Sequence, residues 1–111
     1  KRELMYVDDM ADACLHIINI SKNKIETLIT PRQSHLNIGS GNELTIKQLA
    51  IKIAKIIGYK GKIVFDKSYP DGTLRKKLNS KKMNSLGWRS KRNLDDSLKD
   101  TYKWFLKNLK N

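Results

Sequence analysis

Three cationic side chains stand beside turn signals and could grip an anion: Arg2 next to an apolar run, Lys62 opening another, and Arg75 just past Pro70-Asp71-Gly72. A guanidinium suits a diphosphate because its planar fork donates two parallel hydrogen bonds to phosphate oxygens. Two such charge-assisted bonds supply a large share of the free energy that micromolar binding requires. The stretch Ser68 to Leu78, SYPDGTLRKKL, follows its turn with Arg75, Lys76 and Lys77, a poor recipe for a core. Its spacing alone fits three situations: a solvated loop, a nucleic-acid backbone held by the basic residues, or the diphosphate of a small molecule.

Other reactive residue types find no partners. A nucleophilic cysteine needs an electropositive, partly open site with a base in reach. Cys14 falls on an apolar helical stripe and is expected to be a buried small hydrophobe. His16 lies off that stripe and is expected to be a surface histidine. One cysteine and two histidines, His16 and His35, make no metal-ligand set at a recognisable spacing. Gly39-Ser40-Gly41 sits between a strand and a helix, as a dinucleotide loop would. Leu44 occupies the third glycine position of G-x-G-x-x-G, so a tight turn is expected instead. No P-loop, metalloprotease or G-x-S-x-G motif is present. The Tyr-x-x-x-Lys spacing of hydride chemistry is missing too: Tyr6, Tyr59, Tyr69 and Tyr102 are followed four places on by Met10, Ile63, Thr73 and Leu106. By itself the segment carries no catalytic constellation.

The elements that must position the cations alternate between strand and helix patterns, which points to an α/β fold. Glu3 to Val7 predicts a short strand. Asp8 or Asp9 then caps a helix with Met10, Cys14, Ile17 and Ile18 on its buried face. SKNKIETLITPRQ reads as a polar excursion broken by Pro31, and HLNIG as a short buried strand. Thr45 and Gln48 have capping-box spacing, and Gly58 marks the end of that helix. Ile46, Leu49, Ala50, Ile53, Ile56 and Ile57 form its buried stripe. KIVFD predicts a strand, and SKKMNSLGW a short helix ended by Gly87. A last helix shows Leu94, Leu98, Tyr102, Phe105 and Leu109 on one face. Asp95 and Asp96 stand in its first turn and Lys107 and Lys110 near its end, as the helix dipole prefers.

Composition narrows the class. The 111 residues allow one modest domain, and 39% apolar residues leave a core that an interface with another domain would help. The opening KRELMYVDD reads like the middle of a protein, so a piece of something longer is expected. One cysteine excludes an internal disulfide framework and fits a reducing compartment. No apolar run is long enough to cross a bilayer and no signal peptide is visible. The net charge of +12 suits an anionic partner, although the bases are spread along the chain as a Lys-rich coding bias would spread them.

RELMYVDDMADAC, SHLNIGSGNELTIKQLAIKIAKIIGYKGKIVFD, PDGTLRKKLNSKKMNSLGW and LDDSLKDTYKWFL together resemble, in order, the carboxyl end of the GDP-L-fucose synthase family. That family belongs to the extended short-chain dehydrogenase/reductases, within the NAD-dependent epimerase/dehydratase superfamily. R-E-x-x-x-V-D-D and N-x-G-x-G are shared widely there, whereas G-Y-K-G-x-I-V-F-D followed by P-D-G-T-x-R-K is particular to the fucose branch. The resemblance implies that residues 1–111 are a nucleotide-sugar-binding lobe, with the Rossmann domain, its NADPH and the catalytic residues all upstream of Lys1. It implies no catalytic and no cofactor-binding residue in this segment. It also implies 3,5-epimerisation and NADPH-dependent 4-reduction of GDP-4-keto-6-deoxy-D-mannose to GDP-L-fucose in a cytoplasmic protein, homodimeric when full-length. By motif match, Arg2 approaches the diphosphate, and Lys62, Asp71 and Arg75 lie against the nucleotide end. The expected partner is a GDP-sugar, not nucleic acid or membrane. Another nucleotide-sugar epimerase or dehydratase, or a basic nucleic-acid-binding module, are the alternatives. Leu74 replaces a usual Pro, Asn79 a common Asp and Tyr6 a frequent His; none of these removes a proposed anion donor.

Overall fold

The computed structural model describes residues 1–109. The chain runs β1 (Arg2–Glu3), α1 (Val7–Ile18), α2 (Lys22–Glu26), β2 (Glu43–Leu44), α3 (Ile46–Ile57), α4 (Lys81–Ser85) and α5 (Leu94–Asn108). β1 and β2 form an antiparallel pair in which Arg2 faces Leu44 and Glu3 faces Glu43.

The helix ends follow their local chemistry. Thr45 Oγ1 accepts the Gln48 N–H at 3.1 Å and Gln48 Oε1 accepts the Thr45 N–H at 2.8 Å, so the expected capping box opens α3. Gly58 ends that helix at φ +73°. The Asn93 side chain accepts the Asp96 N–H at 2.9 Å to start α5. Asp95 and Asp96 sit in its first turn and Lys107 in its last, while Lys110 lies outside the described residues.

α1 turns a different face inward from the one its apolar stripe predicts. Asp9 and Ala13 are buried, whereas Met10, Cys14 and Ile18 are exposed, a rotation of about 100° or one residue. Hydrogen-bonding donors decide this. Neither Asp8 nor Asp9 caps the helix, which begins after Tyr6 without a side-chain cap. Asp9 accepts from the Ser90 hydroxyl at 2.5 Å and the Arg92 N–H at 3.3 Å, and Asp12 from the Trp88 indole N–H at 2.8 Å. A buried carboxylate must be bonded, so these donors outweigh the methylenes left outside. Cys14 is therefore exposed, contrary to expectation. His16 is half-buried and not a plain surface residue: its Nε2–H donates to the Leu86 carbonyl at 2.7 Å, across the end of α4.

The core is small. Ala13 and Met83 are fully buried and Trp88 is 3% exposed, with Met5, Ile17, Ile38 and Leu86 packed against them. α3 and α5 form a second layer, joined by Lys52 to Asp95 at 2.6 Å and by an apolar groove of about 340 Å³ between Ile53, Ile57, Leu98 and Phe105. No residue of the α3 stripe is fully buried, and Ile46, Ile53, Ile57, Phe105 on α5 and Leu109 just past its end are exposed.

Three expected strands differ. Residues 3–7 shorten to Arg2–Glu3 because α1 already begins at Val7. HLNIG and KIVFD are extended but unpaired: a strand needs a ladder partner, and none of the described residues lies alongside them in register. Val64 is 74% exposed. A short helix, α2, with a Lys22–Glu26 pair one turn apart, occupies part of the expected polar excursion.

The accessible surface is 9,096 Å², against about 6,300 Å² for a compact monomer of this mass. The radius of gyration is 17.6 Å, where about 13 Å is usual for this length. Apolar helix faces and unpaired extended segments account for the excess. Among the described residues no helix is long and apolar enough to cross a membrane.

Candidate functional site

Three segments far apart in sequence are stitched together at β1. The Lys76 N–H donates to the Lys1 carbonyl at 3.1 Å, and Arg2 bridges to Lys76 in parallel register. The main-chain nitrogen of Lys1 donates to the Leu74 carbonyl. The third segment is the turn before β2. Glu3 accepts the Gly41 N–H at 2.8 Å and the Leu78 N–H at 3.1 Å, so one carboxylate joins the turn, the strand and the loop. A Cβ on Gly39 would lie 2.6 Å from that carboxylate, which is why the turn is bare there.

The Gly39-Ser40-Gly41 turn does not fit a dinucleotide cofactor. The Gly41 N–H, which a phosphate would need, is already taken by Glu3, and a strand follows the turn. The tight-turn reading stands. Among the described residues no group of His, Cys, Asp and Glu could hold a metal ion.

Arg2 emerges from β1 and its Nη1 donates to the carbonyls of Lys1 at 2.8 Å and Thr73 at 2.6 Å. Its Nη2 faces Gly72, where an added Cβ would stand 3.2 Å away, so the backbone passes close to that edge of the guanidinium. Arg75 lies two residues beyond Thr73. Its Nε and Nη2 donate to the two carboxylate oxygens of Glu43 at 2.7 and 2.6 Å, a fork-to-fork pair, with the Lys77 ammonium 4.0 Å from the same carboxylate. Glu43 and Glu3 are cross-strand neighbours, and like charges directly opposite repel. Each is satisfied separately, Glu3 by main-chain N–H groups and Glu43 by cations.

The ribbon alternates its side chains, so Arg2 belongs to the Leu44 face and Glu43, with Arg75 attached, to the other. Residues 72–75 connect the two faces within about 10 Å of chain. Beside Arg75 opens a cleft of about 490 Å³ lined also by Gly41, Lys77, Asn79, Ser80 and Lys81; Arg2 does not line it. Asp71 is exposed in the turn ahead of Gly72. Lys62 is exposed in the unpaired 62–66 segment, and its carbonyl stands 3.4 Å from the Tyr59 hydroxyl. Among the described residues no hydrogen bond or ion pair ties its side chain to Arg2, Asp71 or Arg75. Sequence reasoning missed Glu3 and Glu43, the two residues that hold the arrangement. Their partners stand 32 to 75 residues away, and only the charge of the pair E and R in the opening KRE hinted at a role.

The Arg75 guanidinium holds the Glu43 carboxyl below its usual range, and Glu43 raises Arg75 in return. The Trp88 indole, the Ser68 hydroxyl and the Lys52 ammonium do the same for Asp12, Asp66 and Asp95. A carboxylate held low in the fold contributes stability above its unfolded pKa, and that contribution disappears as pH falls through the lower folded value. The urea midpoint is therefore expected to stay flat from pH 7 to about 5 and to drop below about pH 4. The drop is modest because Asp12, Asp66 and Asp95 are well exposed to solvent and only Glu43 is largely covered. A midpoint that instead falls between pH 7 and 5 contradicts this assignment.

No family model matches the chain. GDP-L-fucose synthase of Escherichia coli is 45% identical to it over 107 residues, covering 96% of this chain and 33% of that protein. A putative GDP-L-fucose synthase 2 of Arabidopsis thaliana is 44% identical over 97% of the chain and 30% of its own length. Among solved structures, a GDP-6-OMe-4-keto-L-xylo-heptose reductase from Campylobacter jejuni superposes with a TM-score of 0.83 at 35% identity, over 96% of this chain and 31% of that one. A GDP-mannoheptose C4 reductase from the same organism, with NADP bound, gives 0.80 at 34% identity over 95% and 31%. The chain thus spans about a third of the length of the curated relatives it matches. Its mixed α/β architecture and its near-complete coverage make it a homologue of the carboxyl-terminal part of the GDP-L-fucose synthases and their GDP-sugar reductase relatives, among the extended short-chain dehydrogenase/reductases.

Proposed function

We propose that residues 1–111 form one nucleotide-sugar-binding lobe of an NADPH-dependent GDP-sugar epimerase/reductase. The reaction it serves, on this reading, is the 3,5-epimerisation and 4-reduction of GDP-4-keto-6-deoxy-D-mannose to GDP-L-fucose. NADPH supplies the hydride and belongs to a cofactor domain preceding this segment. The partners are the GDP-sugar and a second copy of the full-length protein.

The observation that carries the reading is the stitched loop 72–78, which ties in two guanidiniums two residues apart along the chain, Arg2 on the Thr73 carbonyl and Arg75 on Glu43, one on each face of the β1–β2 ribbon. Arg2 takes the diphosphate through Nη2, since its hydrogen bonds to the Lys1 and Thr73 carbonyls both come from Nη1. Arg75 stands toward the nucleotide, and Lys62 and Asp71 join it on motif match alone. The lobe contributes position: it holds the keto-sugar where hydride and proton donors of the other domain reach it. The surface in excess of a compact monomer supports such a second domain, because the exposed apolar faces of α1 and α3 need cover.

The names of the relatives share GDP and differ in sugar, so the nucleotide is the first property to test. GDP is expected to raise the melting temperature of the full-length protein, by mass action, at concentrations where UDP and dTDP do not. Equal protection by all three places it with another nucleotide-sugar epimerase or dehydratase. No protection by any, with duplex DNA bound at physiological salt, favours the nucleic-acid module and removes this reading.

A further inference from the structure

We propose that Glu43 is the positioning residue for Arg75, fixing which edge of its guanidinium faces the 490 Å³ cleft lined by Lys77, Asn79 and Lys81. This inference rests on the GDP-sugar reading above and adds to it the device that aims one of its ligands.

A guanidinium has five N–H donors in one plane. Glu43 engages Nε and one hydrogen of Nη2; the other Nη2 hydrogen and the Nη1 hydrogen parallel to it form the second forked edge, and the last Nη1 hydrogen points back toward Cδ. That edge has the spacing to receive two phosphate oxygens. The Arg75 side chain is 64% exposed and would otherwise sample many rotamers, so an anion would have to order it on binding. The Glu43 side chain is only 13% exposed and sits in β2, in register with Glu3, so its own direction is set by the ribbon. Lys77, 4.0 Å from the same carboxylate, leaves the local charge positive after the pair forms. The carboxylate therefore orders the guanidinium without cancelling the attraction of the cleft for an anion.

The test is a double-mutant cycle in the full-length protein, with GDP as the probe and its dissociation constant read by calorimetry. Arg75→Ala is expected to weaken GDP binding roughly tenfold to a hundredfold, Glu43→Ala several-fold, and the double variant no more than Arg75→Ala alone. Glu43→Gln, which keeps the length but loses the charge and one acceptor, lies between wild type and Glu43→Ala. It carries the same cycle if Glu43→Ala does not fold. Tighter GDP binding in either Glu43 variant makes the carboxylate a competitor for Arg75 and overturns the proposal. So does an equal loss with and without Arg75, which means that Glu43 acts through the fold. Unchanged affinity in the Glu43 variants, with Arg75→Ala still weak, overturns this inference alone. Unchanged affinity in Arg75→Ala overturns the role of Arg75 in the parent reading, and the positioning role with it.

Discussion

Trp88→Ala is expected to lower the stability of the chain by about 3–5 kcal/mol, the usual cost of emptying a buried aromatic site. Folded domains are stable by only about 5–15 kcal/mol, so this one change removes much or all of the margin. The effect is large because the core is small: Trp88 and Met83 are the bulky members of a cluster whose third buried residue is Ala13. No other apolar layer compensates, since α3 and α5 leave most of their large side chains open to solvent. Trp88 also donates to Asp12, which joins the 88–92 segment to α1. Trp88→Phe separates the two contributions, because it keeps most of the apolar volume and loses only the indole donor to a carboxylate that water can reach. Urea unfolding followed by near-ultraviolet circular dichroism should show a transition lost or moved far down in Trp88→Ala and moved only slightly in Trp88→Phe. A wild-type midpoint in Trp88→Ala would mean that the fold is held elsewhere.

Arg2→Ala is expected to cost the full-length protein roughly tenfold to a hundredfold in affinity for GDP. Two effects act in the same direction. The variant removes a diphosphate donor, and it frees the Thr73 carbonyl that anchors the loop carrying Arg75. Arg2→Lys tells them apart. An ammonium keeps the charge but has one nitrogen, so it cannot bond the Lys1 and Thr73 carbonyls as Nη1 does and also present a separate nitrogen, as Nη2, to a phosphate. Partial recovery in Arg2→Lys is therefore expected, seen as a lower KM than in Arg2→Ala at similar kcat. Full recovery would reduce Arg2 to a point charge. An unchanged KM in Arg2→Ala would remove it from the site.

Local features were legible in the residues. The Thr45 and Gln48 box, the Gly58 terminus, the Gly87 stop, the acidic first turn of α5 and the turn nature of Gly39-Ser40-Gly41 all depend on contacts within a few positions. They follow from capping geometry that adjacent side chains carry with them. The motif order carries the resemblance to the GDP-sugar enzymes, and Arg2 and Arg75 stand out by residue type beside turn signals.

Long-range choices were not legible. Apolar periodicity named Met10, Cys14, Ile17 and Ile18 as the inner face of α1; Ile17 does pack against the core, but the donors Trp88 and Ser90, more than seventy positions away, turn Asp9 and Ala13 inward and leave Met10, Cys14 and Ile18 outside. The short apolar runs HLNIG and KIVFD announced strands, but pairing is a property of two segments, and these two find no neighbour among the described residues. Glu43 left no mark in the sequence, because a carboxylate thirty-two positions before an arginine is indistinguishable from a solvated one until β1 and β2 come together. By itself the sequence determined the two ends of α3 and the acidic first turn of α5, though not the start of α1 or the existence of α2, together with the basic character of the loop and the kinship of the segment. Tertiary structure alone decided which faces are buried, which carboxylates are bonded and which edge of Arg75 is free, since each depends on the distance between groups that the chain brings together only by folding.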